Sequence, residues 1–253
     1  MVLPAPARVP AEFLGWLVTD ANLGELHKTL APEVRWLPPT EHDALRRQGQ
    51  ETLTELGWRD RHGKLEREIA GSLTVLCRAQ VEYYGWIAHD GQTIGVLAGR
   101  IGKEGVLAVH QPDSTVWLTS VNSTRLAERL VAQTPDVPAG RGGAFTVSSA
   151  EVRATRRDGR QRTPAGVGVR RAGPEVRHAQ RLAALPTTGH GELSVARRDE
   201  LGRRHRCPRP VRYTDTAEGR FALLFGRDDQ VRVEPAGRAE LMRHLDRMGQ
   251  ALA

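Results

Sequence analysis

Between Val81 and Thr119 the chain presents four strand-like runs separated by turns too short to carry a crossover helix. The runs are Val81–His89, Thr93–Ile101, Gly105–His110 and Thr115–Thr119, and β-branched and aromatic residues dominate them. Neighbours joined so closely must pair antiparallel, because a parallel strand needs a return connection of a dozen residues or more. Asp90-Gly91 sharpens the first turn, since both positions of a two-residue hairpin turn need positive φ. An antiparallel meander is therefore predicted, and the other elements have to pack against it.

Upstream the period is helical. Phe13, Leu14 and Leu17 form a short apolar stripe, and Trp36-Leu37-Pro38-Pro39 then forces an extended segment, because proline disfavours helix at the residue before it. A second helix opens at Thr40 with Asp43 three residues on, carries Leu45, Thr52, Leu53 and Leu56, and closes at Gly57. A third follows the Asp60–Gly63 turn, with Leu65, Ile69, Leu73 and Leu76 at spacings of four, four and three. Downstream of the meander, Asn122 or Ser123 caps a helix bearing Leu126, Leu130 and Val131, which Pro135 stops. Residues 134–143 read as a connector.

The order then repeats. Ser148 and Glu151 form a capping-box signature, and Pro174 opens a helix with Val176, Ala179, Leu182 and Ala183 on one face. Beyond Pro186 come strand-like runs at Glu192–Arg197, Arg203–Cys207, Val211–Thr214, Phe221–Phe225 and Gln230–Glu234. A terminal helix aligns Leu241, Leu245, Met248 and Leu252. The helices at Leu126 and Leu241 begin about 115 residues apart. The expected fold class is α+β: one domain over residues 1–253, with a central antiparallel sheet, flanking helical bundles and pseudo-repeat halves of about 1–135 and 144–253.

The chemistry-bearing residues do not assemble into a catalytic motif. His190-Gly191-Glu192 has the spacing of a zinc deaminase but lacks the downstream cysteine pair, because Cys77 and Cys207 stand alone. His205 and Cys207 supply two ligands where a zinc shell needs three or four. Gly140-Arg141-Gly142-Gly143 follows a proline-rich linker where a phosphate loop would follow a strand, and Asp228-Asp229 suits a hairpin turn. We expect no enzyme, no metal and no cofactor. No apolar run is long enough for a bilayer and Met1–Pro10 does not read as a signal peptide, so a cytoplasmic protein is expected.

Charge is unevenly placed: residues 1–150 carry net −2 and residues 151–253 net +9. Nine arginines lie between Arg153 and Arg181, so a basic nucleic-acid-binding protein using this half is the alternative function. Binders of single strands interleave aromatic residues for stacking, and none occurs from Ala150 to Leu185, which favours a solvated segment. Arg197-Arg198 and Arg203, Arg204 and Arg206 read as edge-strand charges that oppose aggregation.

A longer pattern runs through Gly189-His190-Gly191-Glu192-Leu193-Ser194-Val195-Ala196-Arg197-Arg198-Asp199, then Gly202-Arg203, then Val211-Arg212-Tyr213-Thr214-Asp215-Thr216-Ala217-Glu218-Gly219-Arg220-Phe221. It continues in Val231-Arg232-Val233-Glu234-Pro235-Ala236, and earlier in Trp36-Leu37-Pro38 and Leu53-Thr54-Glu55-Leu56-Gly57-Trp58. This pattern resembles the EspG family, the chaperones associated with actinobacterial type VII (ESX) secretion systems. The departures are Tyr213 where the family commonly has Trp and Phe221 where it commonly has Tyr, both conservative for packing. The resemblance implies a quasi-twofold fold around a central antiparallel sheet. It also implies a cytosolic chaperone that binds the helical tip of a PPE-type protein in a PE–PPE heterodimer and keeps it soluble until export. Neither catalysis nor a cofactor is implied, and monomer and dimer both stay open.

Asp215-Thr216-x-x-Gly219-Arg220 reads as a hairpin held by a carboxylate–guanidinium clamp, a folding device more than a partner contact. The substrate surface is expected on the second meander, with Glu192, Ser194, Ala196 and Arg198 on one strand face and Arg212 and Thr214 beside them. The opposite face, Leu193, Val195, Val211 and Tyr213, is more apolar and reads as core.

Overall fold

The computed structural model describes residues 3–32, 39–148, 150, 173–226 and 229–252. The first half runs β1 (Ala7–Pro10), α1 (Ala11–Asp20), α2 (Pro39–Glu55), α3 (Arg67–Arg78), β2 (Val81–His89), β3 (Gln92–Ile101), β4 (Glu104–His110), β5 (Thr115–Asn122) and α4 (Leu126–Val131). The second runs β6 (Phe145–Ser148), α5 (Pro174–Ala184), β7 (Thr187–Arg198), β8 (Arg204–Arg206), β9 (Val211–Thr216), β10 (Gly219–Phe225), β11 (Gln230–Pro235) and α6 (Arg238–Gln250).

Ten of these strands form one continuous path in the order β1-β5-β4-β3-β2-β7-β9-β10-β11-β6, and β8 pairs β7 beside it. Every pairing along the path is antiparallel, as the short connections demand. The order is symmetric about the β2–β7 pair: each meander runs outward from that seam, and the first strand of each half returns to close the far edge. The seam runs unbroken from Val81 opposite Arg197 to His89 opposite Gly189. The Asp90-Gly91 turn between β2 and β3 has both residues at positive φ, 50° and 75°.

Strand alternation sends side chains to two faces with separate cores. On one face, Tyr84, Leu97, Val106, Ala108, Val116, Leu118 and Ala196 pack under α1 and α3. The α3 stripe of Ile69, Leu73 and Leu76 is buried there, each side chain contributing about 1.5–3 kcal/mol relative to exposure. On the other face, Val81, Val96, Ala98, Leu193, Val195, Val211 and Tyr213 pack against Leu126, Leu130, Leu241 and Leu245 of α4 and α6. The four residues expected as core on the second meander are therefore core. A third, smaller cluster of Phe221, Val231 and Val233 lies under α5, on the same face as α1 and α3.

Among the described residues, Arg220 is the largest side chain with no accessible surface. Its guanidinium donates from Nε and Nη2 to the two carboxylate oxygens of buried Asp215 at 2.5 and 2.9 Å. It also donates from Nη1 to Thr134 Oγ1 at 3.1 Å and from Nη2 to the Pro135 carbonyl at 2.9 Å. It stacks on Tyr213, with 4.4 Å from Cζ to the ring centroid. Its backbone is as fully used: the amide donates to Pro138, and the carbonyl accepts from Gly140 and Ala236. The carboxylate–guanidinium clamp expected at the β9–β10 hairpin is present, and it also fastens the stretch read as a connector to the sheet.

Other expectations are corrected. β1 and β6 are sheet members that the sequence reading omitted, since four residues ending at a proline or beside a glycine-rich stretch carry little periodicity. β7 begins at Thr187, five residues before the expected Glu192, because its polar, glycine-bearing start is paired by β9 from Thr187 and by β2 from Gly189. Asn122 Oδ1 accepts from the Thr124 amide and hydroxyl, and α4 starts only at Leu126 with no side-chain cap. Trp36-Leu37-Pro38, Glu151 of the capping-box signature, Arg153–Arg171 and Asp228 lie outside the described residues.

Arg220→Ala would leave the Asp215 carboxylate buried without its partner, so we expect it to lower the unfolding free energy by about 3–5 kcal/mol. Urea denaturation followed by circular dichroism checks this, and a loss below about 1 kcal/mol, the worth of an exposed pair, contradicts the role assigned to the clamp.

Candidate functional site

The helices cover the α1/α3 face unequally. Helices α1 and α3 roof the first half as far as Ala196, and α5 roofs only β10, β11 and β6. Between these roofs, the C-terminal part of β2 and the facing parts of β7 and β9 form an open floor. Register lines up one row across it: Trp86 opposite Glu192, Glu192 opposite Arg212, Arg212 opposite Leu223 and Leu223 opposite Val233. The next row is Ala88, His190, Thr214 and Phe221.

The floor opens into a cavity of about 670 Å³ bounded by Trp86, His190, Glu192, Arg212, Leu223 and Phe225. An apolar groove of about 380 Å³ continues from it beneath α5, where Ala179 and Leu182 face Phe145, Phe221, Leu223 and Val233. Thr187, Thr214, Leu223 and Phe225 line both, so floor and groove are one concave surface. The α5 helix stays in place through a Phe145–His178 edge contact at 4.7 Å and an Arg181–Glu218 ion pair at 2.6 Å. Val176 is the only buried residue of α5, so most of its apolar stripe faces the groove.

Charge rims the apolar floor. Arg212 donates from Nε to Glu192 at 2.8 Å and lies over the Phe225 ring at 5.0 Å. Lys28 sits over the Trp86 and Tyr84 rings at 4.7 and 5.4 Å. Lys28 is exposed and Arg212 about half exposed, so both charges stay in water beside the part-buried Trp86 and Phe225 rings, an arrangement suited to a partner with an apolar centre and a polar edge.

The six residues expected at the site separate here. Glu192, Arg212 and Thr214 meet on the open floor. Ser194 and Ala196 do not: they are 7% and 0% exposed, because the roof of the first half extends over that end of β7. Arg198 turns inward, donating to the Cys77 and Gly202 carbonyls and lying 3.9 Å from the Glu82 carboxylate. The expected polar-out face is thus solvent-facing at one end and core at the other. Trp86, Leu223, Phe225 and Lys28 were not anticipated. The alternation of Phe221, Leu223 and Phe225 marks an apolar strand face, but only the position of α5 shows that this face is partly bare.

The roof over Ala196 is anchored by a buried polar unit. Glu82, 3% exposed at its side chain, takes an ion pair from Arg204 at 2.7 Å, so Arg204 serves the interior and is no mere edge charge. Arg204 Nη2 also lies 3.3 Å from His27 Nε2, while His27 Nδ1 accepts from the Thr29 amide at 3.3 Å and lies 2.8 Å from Thr29 Oγ1. Burial first, then the positive charge of Arg204, pushes His27 down to about 3. Among the described residues, no group of three or more His, Cys, Asp or Glu is placed to hold a metal ion.

Comparison with known proteins bears on this surface. A family model, that of the EspG family, matches residues 11–247, and the chain belongs to this family. No curated protein sequence matches it. Among solved structures it is similar to the Mycobacterium tuberculosis type VII secretion system chaperone EspG5, solved in complex with the PE25–PPE41 dimer. That likeness has a TM-score of 0.69 at 13% identity and covers 98% of this chain and 97% of that one, which establishes the shared fold. The nucleic-acid-binding alternative finds no support in these comparisons.

Stability is expected to fall as pH drops below about 6.5. The unfolded chain protonates His27 there and the folded chain does not, so each pH unit toward 3 costs up to about 1.4 kcal/mol from this group. His244, also lowered chiefly by burial, acts in the same direction. Urea midpoints between pH 7 and 5 should decline for the parent and decline less for His27→Gln. Parallel profiles would contradict the neutral, buried assignment.

Proposed function

We propose that this EspG-family chain is a cytosolic chaperone of a type VII (ESX) secretion system. It binds a PPE-type protein, as a PE–PPE heterodimer, by its helical tip and keeps that partner soluble until export. The family match across residues 11–247 carries the reading, and the complex in which the similar EspG5 was solved points to the same class of partner. The role is one of binding and assigns no chemistry, cofactor or membrane contact to the chain. No helix among the described residues is long and apolar enough to cross a membrane.

The physical demands of the task match the open face. The tip of a helical hairpin exposes apolar side chains, and a rigid sheet with an apolar groove shields them at low entropic cost because its backbone is already ordered. Leu223 and Phe225 form the floor, Leu182 the overhang, and Lys28, Glu192, Arg212 and Thr214 the rim. Arg212 and Glu192 are about half and two-fifths exposed, so they retain hydration until a partner arrives and set orientation more than affinity. The two halves act as one domain, since the unbroken β2–β7 seam makes the floor a property of both.

Co-expression with the PE–PPE pairs encoded near the gene, followed by size-exclusion chromatography, tests the reading. A co-eluting complex is expected, with an otherwise insoluble PPE-type partner recovered in solution. Leu223→Glu should weaken the complex at least about tenfold by placing a charge in the groove, and reversal at Glu192 and Arg212 should weaken it less. Binding should change only mildly between low and moderate salt, where a polyanion binder loses orders of magnitude. Failure of every pair to bind, or wild-type affinity in Leu223→Glu, contradicts the proposal.

A further inference from the structure

The opposite face of the sheet holds a separate cavity of about 540 Å³, under the start of α4 and the end of α6. Arg100, Lys103, Arg197, Tyr83, Ser123 and Asp246 line it. Register explains why two arginines meet there. Val81 of β2 is opposite Arg100 of β3 on one side and Arg197 of β7 on the other, so all three side chains leave the sheet on one face. Their backbones span two strand spacings, about 10 Å, and two long side chains flank the buried Val81. Lys103, in the turn between β3 and β4, adds a third positive group at the rim.

These cations have little to neutralise them. Among the described residues the side chains of Arg197 and Lys103 make no hydrogen bond or ion pair, and Arg100 spends one donor on the Gly102 carbonyl at 3.0 Å. The single carboxylate in the lining, Asp246, is also unpaired, and burial raises it above the usual aspartate range. The Tyr83 hydroxyl is pressed so close to Gly249 of α6 that an added Cβ there would come within 2.6 Å of it. The result is a concave site with two guanidinium forks, an ammonium and hydroxyl donors above an apolar floor of Val81, Leu126 and Ala127. Guanidinium forks match the paired oxygens of phosphates and carboxylates, and three like charges lining one cavity make the entry of an anion favourable.

We propose that this cavity binds a small oxyanion with two or more charged oxygens, of the phosphate or polycarboxylate class, held between Arg100 and Arg197 with Lys103 at the rim. The site lies on the sheet face opposite the proposed substrate floor and does not depend on that reading.

Isothermal titration of the full chain with inorganic pyrophosphate, and separately with citrate, tests it at an ionic strength matched by sodium chloride. One-site binding is expected. Arg197→Gln and Arg100→Gln should each weaken it at least about tenfold, and Lys103→Ala about threefold. Asp246→Asn should tighten it about threefold by removing a like charge from the ligand's surroundings. Pyrophosphate bound more tightly than citrate identifies a phosphate site, and the reverse order a carboxylate site; either supports the oxyanion assignment. Absence of binding to both anions at millimolar concentration overturns it, as does affinity that neither Arg197→Gln nor Asp246→Asn changes. Should Arg197→Gln fail to fold, Asp246→Asn at the cavity wall and Lys103→Ala in its exposed turn carry the test.

Discussion

A guanidinium and a carboxylate with no exposed surface stand where four parts of the chain meet. Arg220 and Asp215 close the β9–β10 hairpin, the Arg220 donors reach Thr134 and Pro135 just beyond α4, and its carbonyl receives the amide that leads into α6. Burying two such groups is costly, and only a bidentate pair with the remaining donors satisfied makes it tolerable. The same geometry is demanding in what it excludes. An altered β9–β10 register, or a connector lying elsewhere, would leave charge unpaired in the interior. The clamp therefore specifies the joining of the two halves as much as it stabilises it.

The β2–β7 seam, once formed, sets the layout of both faces. On the α4/α6 face, apolar residues from both meanders lie under a helix from each half, and the core runs unbroken across the seam. On the other face the halves are roofed separately, by α1 and α3 on one side and by α5 on the other, and no described helix crosses between them. An open floor is what remains when two similar halves join through their central strands and bring unequal roofs. The Glu82–Arg204–His27 unit fixes the edge of the larger roof, and through it the width of the floor.

Much of this was legible in the chain. Short turns between β-rich runs required antiparallel pairing, and the repeated order of elements pointed to the symmetry that the strand order displays. The Asp215–Arg220 clamp was readable because hairpin residues and a matched charge pair are local features. Burial along β7 was not readable. Glu192, Ser194, Ala196 and Arg198 alternate correctly onto one face, yet local sequence carries no record of how far α1 and α3 extend over that strand. The same limit concealed Trp86, Leu223 and Phe225, whose spacing describes an apolar face but not whether anything covers it. Arg204, which looked like an edge charge, reaches Glu82 122 residues away in sequence, a contact that only the fold brings about.

The central claim is that the bare floor between the two roofs is the surface that captures the partner. Hydrogen exchange of the chain alone and in complex with its PE–PPE pair tests this most directly. The account requires new protection in β9, β10 and α5, with little change in α1 and α3. Protection confined to α1 and α3, or to the α4/α6 face, would place the partner elsewhere and contradict it.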